Sequence, residues 1–246
     1  MVRRWPMSLL LVFGVSTIGC GLFFRAPTPV ATISYPSAPA ATDLLILLPG
    51  RGDRARSFAD AGIIDIIRKT APQLDVISVD ATLGYYLHRN LSERLQADVM
   101  EPARAHGYGS IWLAGISMGG LGSALFAEKH PTELAGIMLI APFLGDEAVV
   151  AEIEAAGGVR TWQPRSPSDP DDYQRGLWRW LKSCTTQPGS CPRILLGFGT
   201  GDRFVRAHRL LAAILPAEDV VEVPGGHDWG PWRMLFTALA PKTTRR

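Results

Sequence analysis

The chain has 246 residues, 47% of them hydrophobic and 20% charged, which suits one domain with a full core and excludes a disordered chain or a multi-span membrane protein. The formal net charge is +2, and setting aside Arg3 and Arg4 leaves 23 acidic residues against 25 − 2 = 23 basic ones. A body so balanced gives no electrostatic case for nucleic acid as a partner. The five histidines are scattered without a recognisable ligand pair, so no metal and no cofactor is expected.

Residues 1–42 carry no acidic residue. Arg3 and Arg4 precede an uncharged run from Trp5 to Phe24 with Leu9-Leu10-Leu11-Val12-Phe13 at its centre, the layout of a secretory signal. Gly19-Cys20 resembles the lipobox of bacterial lipoproteins, with Thr17 departing from the usual leucine. That resemblance implies a signal peptide over residues 1–19 and a lipid on Cys20, the new N-terminus. The run from Trp5 to Phe24 also just reaches spanning length, so an uncleaved signal anchor is an alternative, and an ordinary cleaved signal is another. All three place the body outside the cytoplasm. Residues 20–42, rich in Pro, Ala, Ser and Thr, are predicted to be a tether.

The globular body is predicted over residues 43–246. Leu44 to Leu48 is a buried strand, ended by Pro49-Gly50-Arg51-Gly52. A helix over about 56–70 follows, then a strand at Asp75–Val79. Asn90-Leu91-Ser92-Glu93 is a capping-box-like start to a helix that ends near Gly107. Further strands are expected at Ile111–Gly115, Gly136–Ala141, Arg193–Gly199 and Val220–Val223. Continuous apolar strands alternating with helices imply an α/β fold, with a mostly parallel sheet of about six strands covered on both faces.

Residues 145–192 break the alternation. They are rich in proline and carry Trp162, Trp178 and Trp180 beside Cys184 and Cys191. An insertion above the C-terminal ends of two strands is where a lid would lie, so the tryptophans are expected to face a substrate pocket. The two cysteines are seven residues apart and could pair in an oxidising compartment.

Gly115-Ile116-Ser117-Met118-Gly119 reads G-x-S-x-G between a strand-like run and a helix-like one. Such a turn exposes the serine hydroxyl, and the small residues let strand and helix approach closely. Ser117 is thus a candidate nucleophile, which needs a base and an orienting acid. Gly199-Thr200-Gly201-Asp202 and Pro224-Gly225-Gly226-His227 each follow a strand, at the same sheet edge as Ser117. His227 is the expected base and Asp202 the expected acid, with Asp146 as the alternative position. Asp228 is too near His227 in sequence to meet its ring edge-on. His88, His106, His130 and His208 are each expected at the surface. The expected oxyanion donors are the N–H groups of Met118 and Arg51.

With those residues in view, the chain over 43–240 resembles the α/β-hydrolase fold enzymes. Leu-Pro-Gly-Arg-Gly at 48–52 resembles their oxyanion loop, with Pro49 where histidine is frequent. Gly-Thr-Gly-Asp at 199–202 and Gly-Gly-His-Asp-Trp at 225–229 resemble their acid and histidine loops. The resemblance implies hydrolysis of a small-molecule acyl ester or thioester, most simply by a carboxylesterase. Acyl transfer on the same triad and a silent, lipid-anchored interaction domain are the rival readings.

Overall fold

The structure, a computed structural model, describes residues 25–37, 41–164, 172–186 and 189–244. Seven strands form one sheet: β1 (Thr32–Tyr35), β2 (Asp43–Leu48), β3 (Leu74–Val79), β4 (Ser110–Ile116), β5 (Gly136–Ile140), β6 (Arg193–Gly199) and β7 (Val220–Val223). Their spatial order is β1-β3-β2-β4-β5-β6-β7. β1 pairs antiparallel with β3, and the remaining neighbours are parallel.

The six expected strands are all present, and β1 is a seventh. It overturns the tether reading for much of residues 20–42. Thr32 lies opposite Val79 and Tyr35 opposite Val76, so this segment is the edge of the sheet. Val30 is buried in the core and its N–H donates to Asp98 at 2.8 Å. The signal peptide expected over residues 1–19, and Cys20, lie outside the described residues.

Helices cross between the strands. α1 (Ser57–Asp60) and α2 (Ile63–Thr70) follow β2. α3 (Leu83–Leu87), α4 (Leu91–Leu95) and α5 (Glu101–His106) follow β3, and α6 (Met118–Lys129) follows β4. α7 (Glu147–Ala155) and α8 (Tyr173–Thr186) follow β5, α9 (Val205–Ala212) follows β6, and α10 (Trp229–Leu239) follows β7. The helix expected over 56–70 is split at Gly62, whose φ of 76° is left-handed. Asn90 starts α4 without a side-chain cap, so the capping-box reading fails there.

The six parallel strands feed two cores. In β2, Leu44, Ile46 and Leu48 face the layer of α4 to α9, while Leu45 and Leu47 face that of α2 and α10. Burial on both faces is why these strands read as continuous apolar runs. Parallel strands also bring the loops after β2, β4, β5, β6 and β7 to one edge of the sheet, where the site forms.

The tryptophans of the 145–192 segment correct the lid expectation. Trp162 and Trp178 are 1% and 0% exposed and belong to the core on the α4–α9 side, while Trp180 is half-buried against it. Inside this core the indole N–H groups still find acceptors: Trp178 donates to Leu144 O at 2.7 Å and Trp162 to Glu152 at 2.8 Å. A fully buried ring offers no surface to a substrate. Trp178→Ala is therefore expected to destabilise the protein by about 3–5 kcal/mol, read by urea unfolding, rather than to shift KM. A shifted KM at unchanged stability would restore the pocket role. Cys184 and Cys191 form a disulfide with Cα atoms 5.5 Å apart, tying the end of α8 to the approach of β6.

Candidate active site

Ser117 stands where β4 ends and α6 begins. Its φ of 54° and ψ of −113° are a strained conformation for a residue with a side chain. The flanking glycines allow this turn. A Cβ at Gly115 would lie 2.1 Å from Gly119 O, and one at Gly119 would lie 2.2 Å from Leu48 O. Strand, helix and the loop after β2 thus touch backbone to backbone. The neighbouring strand steadies the turn: Ser117 N–H donates to Ile140 O at 2.9 Å, and its carbonyl accepts from Phe143 N–H at 3.0 Å.

Two further loops reach this point. Asp202 follows β6 and His227 follows β7, and the loops are stitched by Thr200 N–H to Val223 O and Gly201 N–H to Gly225 O, both 2.8 Å. A Cβ at Gly199 would lie 2.4 Å from Gly225 O, so this approach also needs glycine. His227 Nε2 is 2.9 Å from Ser117 Oγ, and His227 Nδ1 is 2.8 Å from Asp202 Oδ2. A carboxylate only accepts, so Nδ1 carries the proton, and the Nε2 lone pair is left to accept from the serine hydroxyl.

Asp202 is 2% exposed. Burial pushes its carboxyl pKa up, but the hydrogen bonds from His227 and Phe204 N–H, with the nearby His208 and His227, outweigh it and leave it below the ordinary value. Asp202 therefore stays ionised and can stabilise an imidazolium. Asp146 is elsewhere: it stands just before α7, makes no side-chain capping bond there, and accepts from Gln174 Nε2 at 2.8 Å. Asp228 accepts from Gly230 N–H at the start of α10.

The loop after β2 lies against the nucleophile, since a Cβ at Gly50 would come within 3.7 Å of Ser117 Cβ. Arg51 is next in that turn, which closes through Asp53 N–H to Gly50 O at 3.1 Å. Met118 is the first residue of α6, where N–H groups lack partners within the helix. A cleft of about 200 Å³ runs beside this loop, lined by Arg51, Gly52, Asp53, Arg54, Thr82 and Leu83. Among the described residues, no group of three or more His, Cys, Asp and Glu could hold a metal.

Several residues around the triad escaped sequence reasoning. Phe204 and Trp232 flank the His227 ring edge-on, each with centroids 5.2 Å away. His208 is not at the surface: it is 0% exposed, and Nε2 lies 2.9 Å from Pro142 O. Phe204, Ala207, His208 and Leu211 repeat at helical spacing, a signal that places His208 on the buried stripe of α9.

Burial lowers the His208 pKa from 6.5 to about 4, against the opposing pull of Asp202 and the Pro142 bond. Between those values the unfolded chain binds a proton that the folded chain refuses, so stability falls as pH drops across that window. The depressed Asp202 adds a loss at still lower pH, as its carboxylate is protonated. Urea midpoints are expected to decline from pH 6.5 toward 4, and a flat profile would contradict this.

A family model described as "Putative esterase" matches residues 81–243. No curated protein matches the chain. Among solved structures, Est1E from Butyrivibrio proteoclasticus is 17% identical with a TM-score of 0.60, over 88% of this chain and 94% of that one. FphF, a fluorophosphonate-binding serine hydrolase of Staphylococcus aureus, is 15% identical with a TM-score of 0.58, over 89% and 100%. S-formylglutathione hydrolase FrmB from Staphylococcus aureus is 14% identical with a TM-score of 0.56, over 88% and 96%. At such identities the likeness concerns the fold, which is that of the α/β-hydrolases.

Proposed function

The chain belongs to the esterase family, and on that premise we propose that it is a serine hydrolase cleaving carboxylic esters or thioesters of small molecules through an acyl-enzyme on Ser117. The observation that carries this reading is the continuous chain Ser117 Oγ–His227–Asp202, with links of 2.9 and 2.8 Å. His227 Nε2 takes the serine proton as Oγ attacks the acyl carbon. The carbonyl oxygen becomes an oxyanion, for which the N–H groups of Met118 and Arg51 are the proposed donors. Asp202 stabilises the imidazolium, which then protonates the departing alkoxide or thiolate. His227 then deprotonates a water molecule that attacks the acyl carbon, and the imidazolium gives that proton to Ser117 Oγ as the acyl C–Oγ bond breaks and the acid product leaves. None of these steps calls for a cofactor.

A screen over esters and thioesters of graded acyl length tests the reading. Hydrolysis of at least one series, lost in Ser117→Ala, is the expected result. Turnover of none, by folded protein, would refute it.

We further propose that the protein works outside the cytoplasm, held to a membrane through Cys20 or through the apolar run before it. The Cys184–Cys191 disulfide supports an oxidising compartment. Cys20→Ser is expected to block processing or release the protein from membranes. Mass spectrometry of a chain that starts at Met1 with an unmodified Cys20 would rule out the lipid and favour the signal anchor.

A further inference from the structure

We infer that His208 is a positioning residue of the hydrolytic site: through Pro142 it holds the backbone segment that presents Ser117. The inference rests on the nucleophile reading of Ser117. Two strained residues with side chains stand at the ends of neighbouring strands, Ser117 with φ 54° after β4 and Ala141 with φ 45° after β5. Strain of this kind persists only where the surroundings over-determine the backbone. The two turns brace each other, because Ser117 N–H donates to Ile140 O and Phe143 N–H donates to Ser117 O. Residues 140–143 are therefore the cradle of the nucleophile.

That cradle is itself anchored. Ala141 N–H donates to Gly197 O at 2.7 Å, fixing its start. The next residue, Pro142, has no N–H to give, so its carbonyl is its only polar hold. That carbonyl accepts from His208 Nε2 at 2.9 Å. The same imidazole packs against Phe198 with centroids 5.1 Å apart and against Phe204 at 6.4 Å. Phe204 in turn meets His227 edge-on. One buried ring thus joins the turn that braces the nucleophile to the loop that carries the acid.

A histidine is a costly way to fill this space. A carbonyl only accepts, so Nε2 bears the proton and Nδ1 has a bare lone pair, which is buried without a partner. An apolar ring would avoid that penalty but would leave Pro142 O unheld. The ring also remains neutral through ordinary pH, since burial lowers its pKa to about 4. It therefore supplies a donor without a charge to oppose the His227 imidazolium.

The test uses His208→Phe, which keeps the ring volume, and His208→Gln, whose amide can still donate. The readouts are kcat and KM for a p-nitrophenyl ester and the labelling rate of Ser117 by a fluorophosphonate. In His208→Phe, kcat and labelling rate are expected to fall roughly 10- to 100-fold with KM within about twofold, and His208→Gln to return within about threefold of wild type. A purely structural role would lower the melting temperature and leave the rates of the folded fraction alone. Wild-type rates in folded His208→Phe, or no rescue by an equally stable His208→Gln, would overturn the inference. If His208→Phe does not fold, His208→Asn, too short to reach Pro142 O, takes its place with the same expected loss. Wild-type protein that labels at a residue other than Ser117 overturns the functional reading, and this inference with it.

Discussion

Replacing Ser117 by alanine is expected to lower kcat by roughly 10³-fold or more, with the fold intact. The expectation follows from the geometry around a single oxygen. Ser117 Oγ is the atom within reach of His227 Nε2, and the strained turn exists to present it. Removing that oxygen removes the covalent route, while the glycine contacts that shape the turn remain. Circular dichroism and urea unfolding should therefore match wild type. Adding His227→Ala to Ser117→Ala should cost little more, because the groups act as one unit. A second, multiplicative loss in the double variant would show that His227 works independently of Ser117.

The next largest effect is expected from Asp202→Asn, on the order of 10⁴-fold in kcat at neutral pH. An amide at this position can turn its NH₂ toward His227 Nδ1. The ring would then carry its proton on Nε2, facing Ser117, and could not accept the serine hydrogen. The buried acceptor of Phe204 N–H would survive as the amide oxygen, so the acid loop should hold its shape. Asp146→Asn, which alters a contact with Gln174, should leave kcat within about twofold of wild type, as surface changes usually do. If Asp146→Asn disables the enzyme while Asp202→Asn spares it, the acid assignment is wrong.

Much of this site was readable from the chain alone because its signals are local. Ser117, Asp202 and His227 each lie in a glycine-bearing loop just past an apolar strand, and a parallel sheet carries such loops to one edge. The glycines are required by close backbone approaches of 2.1 to 2.4 Å for an added Cβ, which is why they stand out in the sequence. What the sequence hid depends on distant partners. β1 is four residues long with prolines nearby, and only its pairing with β3, more than 40 positions away, makes it a strand (Thr32 opposite Val79). Trp162 and Trp178 lie in a proline-rich stretch that reads as a lid. They become core because α8 packs beside α6 and Leu144 O accepts an indole N–H. His208 was hidden by its residue type, since histidine is an unusual occupant of an apolar stripe. Its burial is explained by the Pro142 carbonyl, a partner 66 positions away.

The most direct test of the central claim is covalent mapping. The purified protein is treated with a fluorophosphonate, and the adduct is located by peptide mass spectrometry. One adduct per chain is expected, on the peptide containing Ser117, abolished in Ser117→Ala and strongly slowed in Asp202→Asn. Stoichiometric labelling of another residue, or labelling that persists in Ser117→Ala, would contradict the claim.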